Sequence, residues 1–534
     1  MLLVSLALTL AAAPVVPPRV LWEAWPAARF VTTPAPCLGP AELAKQVRAL
    51  EAAHPGALTV EEVGRSFEGR PIHLLKVGRG ARSVLLWSQM HGDEPSATPA
   101  LLDVARHLLA SGDPASRRIL DELTLLMVPM LNPDGAERYQ RRNAQEIDVN
   151  RDALSLATPE GRLLKALRDR YQPVLGFNLH DQNRRTAVGD TGALASIALL
   201  AVAGDPEGTV TPARLRAKRI CAALIGALSP LAPGAIARYD EDWSPRAFGD
   251  NLTAWGTPVV LIESGGLPPG RPFTDLTRLN FVGLLAALGA LAQDDAQAHD
   301  PAAYEALPRN ESNAWSDVAL RGGEVVQPGT PAPYRADVAF DRRVSDAFAA
   351  GCGPEPAGSR IQEIGDARFI GAAETIDATG TVLVPALVGS VHGIAAREWL
   401  TPSTLDALGR LGVAALRWHV AGPDLATAAA HAATLAAAGR PAVAPEADGA
   451  APSALVLAGP PASPRDDTLA AALDALRPRW RGARDRSALV ALAAPRLAHD
   501  GPAHLIQLRP GPQASLAPEH ARIVRVFVDG RLAR

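Results

Sequence analysis

The residues best equipped for chemistry begin at His91 and Glu94, spaced H-x-x-E in Met90-His91-Gly-Asp-Glu94-Pro95. A histidine and a glutamate three apart in a tight turn can both face one cation, since imidazole nitrogens and carboxylate oxygens are ordinary zinc ligands. Alone, the spacing is a weak signal that a solvated surface turn would also produce. Two later positions strengthen it: His180 in Asn178-Leu-His180, and Glu263 in Ile262-Glu263-Ser-Gly-Gly266. Two histidines and a carboxylate with one coordination position open form the ligand set of a catalytic zinc. A further glutamate, not needed as a ligand, can act as general base toward water.

These side chains need elements that bring them together. The apolar run from Val84 reads as a buried strand, and Leu101, Leu102, Ala105, Leu108 and Leu109 read as one face of a following helix. Leu123 to Pro129 is a second strand, ending at the turn Asn132-Pro-Asp-Gly135. Val174 to Leu179 leads into His180, and Thr257 to Ile262 leads into Glu263. Helices are expected over Pro40 to His54, from the Thr158-Pro159 cap to Tyr171, over Pro212 to Leu228, and over Leu276 to Leu291. Leu58 to Val63 and Ile72 to Val77 read as a strand pair around Phe67-Glu-Gly-Arg-Pro71, and Pro17 to Pro40 as irregular chain. Alternating strands and helices predict an α/β fold: a mixed, mainly parallel sheet flanked by helices. The ends of parallel strands lie along one edge, so His91, Glu94, the 132–151 region, His180 and Glu263 should meet there.

Six ordered motifs then carry a resemblance. His91-Gly-Asp-Glu94, Asn132-Pro-Asp-Gly135, Arg141-Arg-Asn-Ala144, Asp148-Val-Asn-Arg151, Asn178-Leu-His180 and Ile262-Glu263 together resemble the zinc metallocarboxypeptidases of the carboxypeptidase A type, over about Pro40 to Leu291. The resemblance implies one zinc ion held by His91, Glu94 and His180. It implies Glu263 as general base and later proton donor to the leaving amine, and Arg141 as the fixed charge that stabilises the oxyanion. Asn150 and Arg151 would hold the substrate's terminal carboxylate. Tyr239 is the candidate for a substrate-side tyrosine, with a packing role as the rival reading. Arg142 competes with Arg141, and the determinant of side-chain preference would lie near Phe248 to Trp255. Asp93 and Asp181 read as orienting or solvent-facing groups, and His54, His73 and His107 as structural.

The implied function is hydrolysis of the C-terminal peptide bond. The alternatives are a periplasmic hydrolase of peptidoglycan peptides, acting on muropeptides, and a non-catalytic peptide-binding protein. Composition fits such partners. The chain has 534 residues, 48% of them hydrophobic, with a formal net charge of -3, which offers nothing to attract nucleic acid or an anionic membrane. Cys37, Cys221 and Cys352 are too widely spaced for a disulfide framework or a zinc knuckle. Met1 to Ala13 is apolar, ends in small residues before Pro14 and is too short for a permanent membrane span. A signal peptide over residues 1–16 and export are expected.

The catalytic domain is assigned to residues 35–295, followed by a polar linker at 296–315. Residues 316–534 read as a smaller α/β module with β-sandwich-like strands. Gly358 to Gly365, Glu374 to Gly380, Val382 to Val388 and the closing Arg522 to Arg531 resemble strands of an amidohydrolase. That family's H-x-H metal pair is reduced here to His392 in Gly389-Ser-Val-His-Gly393, so the module reads as degenerate. His392, His419 and His431 are its remaining candidate metal ligands.

Overall fold

The computed structural model describes residues 16–30, 38–239, 242–293, 298–325, 334–342, 359–379, 382–385, 387–392, 413–420, 445–447, 505–510, 521–528 and 531–532. Two compact units divide the chain: residues 1–314 with 346–354, and residues 315–345 with 355–534. The signal-peptide expectation, apart from Val16, lies outside the described residues, as do Cys37, Cys352 and His431. Cys221 is buried and forms no disulfide.

The first unit runs α1 (Pro18–Ala28), α2 (Pro40–Ala53), β1 (Leu58–Arg65), β2 (Pro71–Val77), β3 (Arg82–Ser88), α3 (Ala97–Ala110), α4 (Pro114–Glu122), β4 (Leu123–Val128) and α5 (Pro133–Arg138). A 3-10 turn, Val149–Arg151, precedes α6 (Pro159–Tyr171), β5 (Leu175–Asp181), β6 (Ala187–Val188), β7 (Ile197–Ala201), α7 (Pro212–Leu228), β8 (Ile236–Arg238), α8 (Phe248–Ala254), β9 (Val259–Ser264) and α9 (Thr274–Ala292). Helix starts follow the local chemistry. The side chains of Asp113, Thr158 and Thr211 each accept a hydrogen bond from a first-turn N–H of α4, α6 and α7, with proline at the first helical position.

Eight strands form one sheet in the order β1-β2-β4-β3-β5-β9-β7-β8. The central four, β4-β3-β5-β9, are mutually parallel, while β1, β2 and β4 pair antiparallel, as do β7 and β9. The sheet is therefore mixed, with a parallel centre whose C-terminal ends share one edge. Both faces are covered, so β9 is buried along its whole length and its sequence is an unbroken apolar run up to Glu263. One face packs on α1, α2, α3, α7 and α9 through residues such as Phe177, Ile262 and Leu284. The other packs on α6 and α8 through Trp87, Leu164, Leu261 and Phe248.

Three parts of the unit differ from the sequence reading. Residues 18–28, expected as irregular, form α1. Leu21 and Trp25, one turn apart, are buried, and Trp25 Nε1 donates to Asp103 at 3.0 Å. Six prolines from residue 14 to residue 36 obscured this helix, although Pro18 only occupies its first turn and Pro26 lies near its C-terminal end. Strands β7 and β8 carry no period-two alternation to announce them, because β7 is apolar on both faces. Finally, the stretch read as a linker contains α10 (Ala302–Glu305) and β10 (Asn310–Glu311), and β10 pairs with β6. Tyr304 is fully buried there, and its hydroxyl accepts from Ala201 N. This part of the stretch is integral to the first unit.

In the second unit, β11 (Trp315–Val325) lies between β12 (Tyr334–Arg342), which is antiparallel to it, and β14 (Gly371–Asp377), which is parallel; β13 (Ser359–Gly365) extends β12. Val318, Leu320, Val338 and Ile376 form its described core. Further strands at Val382–Pro385, Leu505–Pro510 and Ala521–Val528 join that sheet. Leu387–His392, Val413–Val420 and Pro445–Ala447 form a separate parallel sheet in which His392 and His419 are register partners.

Candidate metal centre

Two turns at the C-terminal edge of the sheet are bound to each other through their backbones. After β3, Gln89 adopts a positive φ of 45°, and the chain turns through His91-Gly-Asp-Glu94. Leu131 N donates to Ser88 O and Asn132 N to Gln89 O, tying the turn after β4 to the turn after β3. The Asn132 side chain accepts from Gly135 N and donates to Met90 O. Contact is closest at the glycines: a Cβ on Gly92 would fall 2.0 Å from the Gly135 carbonyl carbon. Only glycine fits that approach. Buried Asp134 adds a third loop, accepting from Ser66 Oγ at 2.7 Å, Glu68 N at 3.0 Å and Arg70 Nη1 at 2.6 Å.

This framework brings His91 and Glu94 to His180, the penultimate residue of β5, which is paired in register with Glu263 on β9. His91, Glu94 and His180 are 2%, 7% and 3% exposed, and one potential ligand atom from each lies within 4.8 Å of the others. Glu94 sits between the rings, with Oε1 2.8 Å from His91 Nδ1 and Oε2 2.7 Å from His180 Nδ1. Burial opposes charge on Glu94, but the two imidazoles outweigh it and hold its carboxyl below the usual carboxylate range. Burial also opposes protonation of both histidines. It prevails at His180, whose pKa is lowered; at His91 the carboxylates of Glu94 and Asp148 prevail, and the pKa is raised. An ionised, buried carboxylate flanked by two Nδ1 atoms fits a zinc ion, and this trio is the only such group among the described residues.

Asp148, which opens the Asp148-Val-Asn-Arg151 motif, lies at the centre of the support. It accepts from His91 Nε2 at 3.0 Å, from Asn150 N at 2.9 Å and from Arg141 Nε at 3.0 Å. A carboxylate behind a histidine that fixes its tautomer and orientation is the usual support of a metal ligand. Its Oδ1 both caps the 3-10 turn at Asn150 N and meets His91, while Oδ2 faces Arg141.

Arg141 reaches the cluster as well, with Nη1 3.3 Å from Glu94 Oε1. Arg142 turns away and donates to Glu146 O. Asn150 is buried, and its Oδ1 accepts from Phe248 N at the start of α8. Arg151 donates to Asn150 O and lies near enough to Asp148 and Asp250 to favour their ionised forms. Glu263 is buried; burial and the negative charges of Glu94 and Asp181 push its carboxyl well above the usual range, and the Tyr239 hydroxyl donates to it. Asp181 accepts from Ser96 N and Oγ, and burial followed by the Glu94 charge raises it to about 7. Asp93 is raised by burial. The two glycines after Ser264 are sites of close approach, since a Cβ on either would lie 2.1 Å from a backbone oxygen. His107 stacks edge-on against Phe281, and His73 pairs within the β1–β2 hairpin, so neither is at the cluster.

Residues 43–172 match a family model described as zinc carboxypeptidase. This stretch is similar to the zinc carboxypeptidase family. It carries His91, Glu94, Arg141, Asp148, Asn150 and Arg151, and ends before His180 and Glu263. The chain is similar to "Probable carboxypeptidase 2" of Trichophyton verrucosum, 32% identical over 103 residues that span 19% of this chain and 20% of that protein. It is also similar to human "Carboxypeptidase D", 30% identical over 195 residues that span 26% of this chain and 14% of that protein. The chain therefore spans a fifth or less of the length of these curated relatives. A metallo-carboxypeptidase structure from Burkholderia cenocepacia shares 19% identity over 48% of this chain and 69% of its own, with a TM-score of 0.39.

Proposed function

We propose that this chain is a zinc-dependent metallocarboxypeptidase that hydrolyses the C-terminal peptide bond of peptides. The observation that carries the reading is the arrangement of Glu94 between His91 Nδ1 and His180 Nδ1, with Glu263 on the strand beside His180. A zinc ion held by His91, Glu94 and His180 would supply Lewis-acid polarisation of a carbonyl and a water of lowered pKa. Glu263, beside that site, is placed to hold a proton from an attacking water and return it to the departing amine. A buried carboxyl of raised proton affinity suits this exchange. Arg141, braced by Asp148, presents a fixed positive charge to the oxyanion.

Asn150 and Arg151 hold the free carboxylate of the substrate's last residue, which restricts cleavage to the chain end. Asn150 Oδ1 is engaged by Phe248 N, which leaves its amide N–H groups to donate, and the Arg151 guanidinium offers a planar fork. Tyr239, which donates to Glu263, closes the substrate side of the base. The apolar leader at 1–16 suits an exported enzyme that meets peptides outside the cytoplasm.

Purified zinc-loaded chain, incubated with a peptide panel and with muropeptides and followed by mass spectrometry, tests the reading. Stepwise loss of C-terminal residues supports it, whereas internal cuts confined to muropeptides would replace it with a cell-wall peptide hydrolase. Stoichiometric zinc without turnover of any substrate would point to a binding protein.

A further inference from the structure

Helix α9 is the one described helix long and apolar enough to cross a membrane, and it is buried against the sheet. Within it, Thr277 and Asn280 stand three residues apart on one face, each 2% exposed. Polar groups in such a helix cost stability unless bonded, and apolar residues would pack there without that demand. Their partners explain the choice. Asn280 Nδ2 donates to Ser264 Oγ at 2.8 Å and to Leu276 O at 3.0 Å. Ser264 follows Glu263 in β9, and successive strand residues face opposite sides, so Asn280 holds the strand end from behind the Glu263 carboxylate.

Thr277 Oγ1 donates to Ser96 O at 3.0 Å. Ser96, two residues beyond Glu94, donates through N and Oγ to Asp181 Oδ2 at 3.1 and 2.8 Å, and Asp181 N donates to Glu94 Oε2 at 3.3 Å. One turn of a rigid, buried helix thus grips both the segment that carries Glu94 and His180 and the segment that carries Glu263.

We propose that Thr277 and Asn280 are positioning residues that fix Glu263 relative to the Glu94–His180 pair from the rear of the sheet. The proposal rests on the peptidase reading. Neither residue touches the reacting atoms; Asn280 acts through Ser264, next to Glu263, and Thr277 through Ser96, two residues beyond Glu94. A displacement of the base by a fraction of an ångström to 1 Å lowers turnover without removing substrate contacts.

The test compares zinc-loaded full-length wild type with Asn280→Ala, Ser264→Ala, the Asn280→Ala/Ser264→Ala double variant, Thr277→Val and Leu288→Ala. Leu288 is a fully buried core residue of the same helix and controls for destabilisation alone. Each is measured for kcat and KM on a peptide substrate well below its Tm, and for zinc affinity by chelator competition. Asn280→Ala should lower kcat by about 10- to 100-fold with KM and zinc affinity nearly unchanged. Ser264→Ala, the milder change, should do the same, and the double variant should be no worse than either single one. Thr277→Val should also lower kcat, while Leu288→Ala should lower Tm and leave kcat intact. If Asn280→Ala, Ser264→Ala and Thr277→Val lower Tm as Leu288→Ala does but keep wild-type kcat, the positioning role is wrong while the peptidase reading stands. A wild type that binds zinc and cleaves no peptide overturns both.

Discussion

Two buried glutamates at one edge of the sheet have opposite acid–base character. Glu94, between two imidazoles, is held ionised, while Glu263 is pushed toward its protonated form by burial and by Glu94 and Asp181. The first suits a metal ligand and the second a group that moves protons. Glu94→Gln should therefore abolish turnover and greatly weaken zinc retention, whereas Glu263→Gln should abolish turnover with zinc content intact, as metal analysis of both variants after dialysis would show. Asp148→Asn should weaken zinc binding by about 10- to 100-fold, since it loosens the His91 ring and the Arg141 guanidinium together; chelator competition would measure this. Retention of wild-type affinity would remove Asp148 from the support. At this scale the H-x-x-E pair, His180 and Glu263 were legible because each ends an apolar run, and strand ends gather on one edge. Asp148 was not, because its part lies in hydrogen bonds to His91 and Arg141 from across a loop of irregular backbone.

The turns after β3 and β4 behave as one element, because backbone bonds and the Gly92–Gly135 approach join them. Gly92→Ala should force them apart, lower stability by about 3 kcal/mol, and reduce zinc affinity in proportion to the disturbance of His91 and Glu94. Calorimetry beside metal titration would detect both effects, and an unchanged Tm would contradict the close approach. Helix α8 offers a pH-dependent prediction. Asp250 in its first turn is raised to about 6, mainly by burial. Its neutral form contributes stability that is fully present below about pH 4 and is lost as pH rises through about 6, amounting to about 3 kcal/mol. Asp250→Asn should flatten that part of the stability–pH curve in denaturant titrations; an unchanged slope would show that Asp250 titrates normally. Helices with caps and amphipathic stripes, such as α6 and α7, were plain in the sequence. Strands β7 and β8 and helix α1 were not. A two-sided apolar strand has no period, and the prolines before and within α1 mask that helix.

Across the whole molecule, the family match over residues 43–172 supplies one wall of the cluster, and the sheet supplies the other through the His180–Glu263 register. That division explains why motif order identified the first unit so readily: the parallel strands place residues far apart in sequence at one rim. The second unit's strands carry register shifts, and several pair with partners far along the chain, so periodicity alone could not pair them. On the proposed function, this rim removes residues one at a time from a peptide's C-terminus, with Glu263 as the base. The most direct test is a mass-spectrometric time course of a defined peptide with zinc-loaded wild type and Glu263→Gln side by side. Wild type should give a ladder of products shortened singly from the C-terminus, Glu263→Gln none, with equal zinc in both. Products of internal cleavage, or a ladder that persists in Glu263→Gln, would contradict the proposed function.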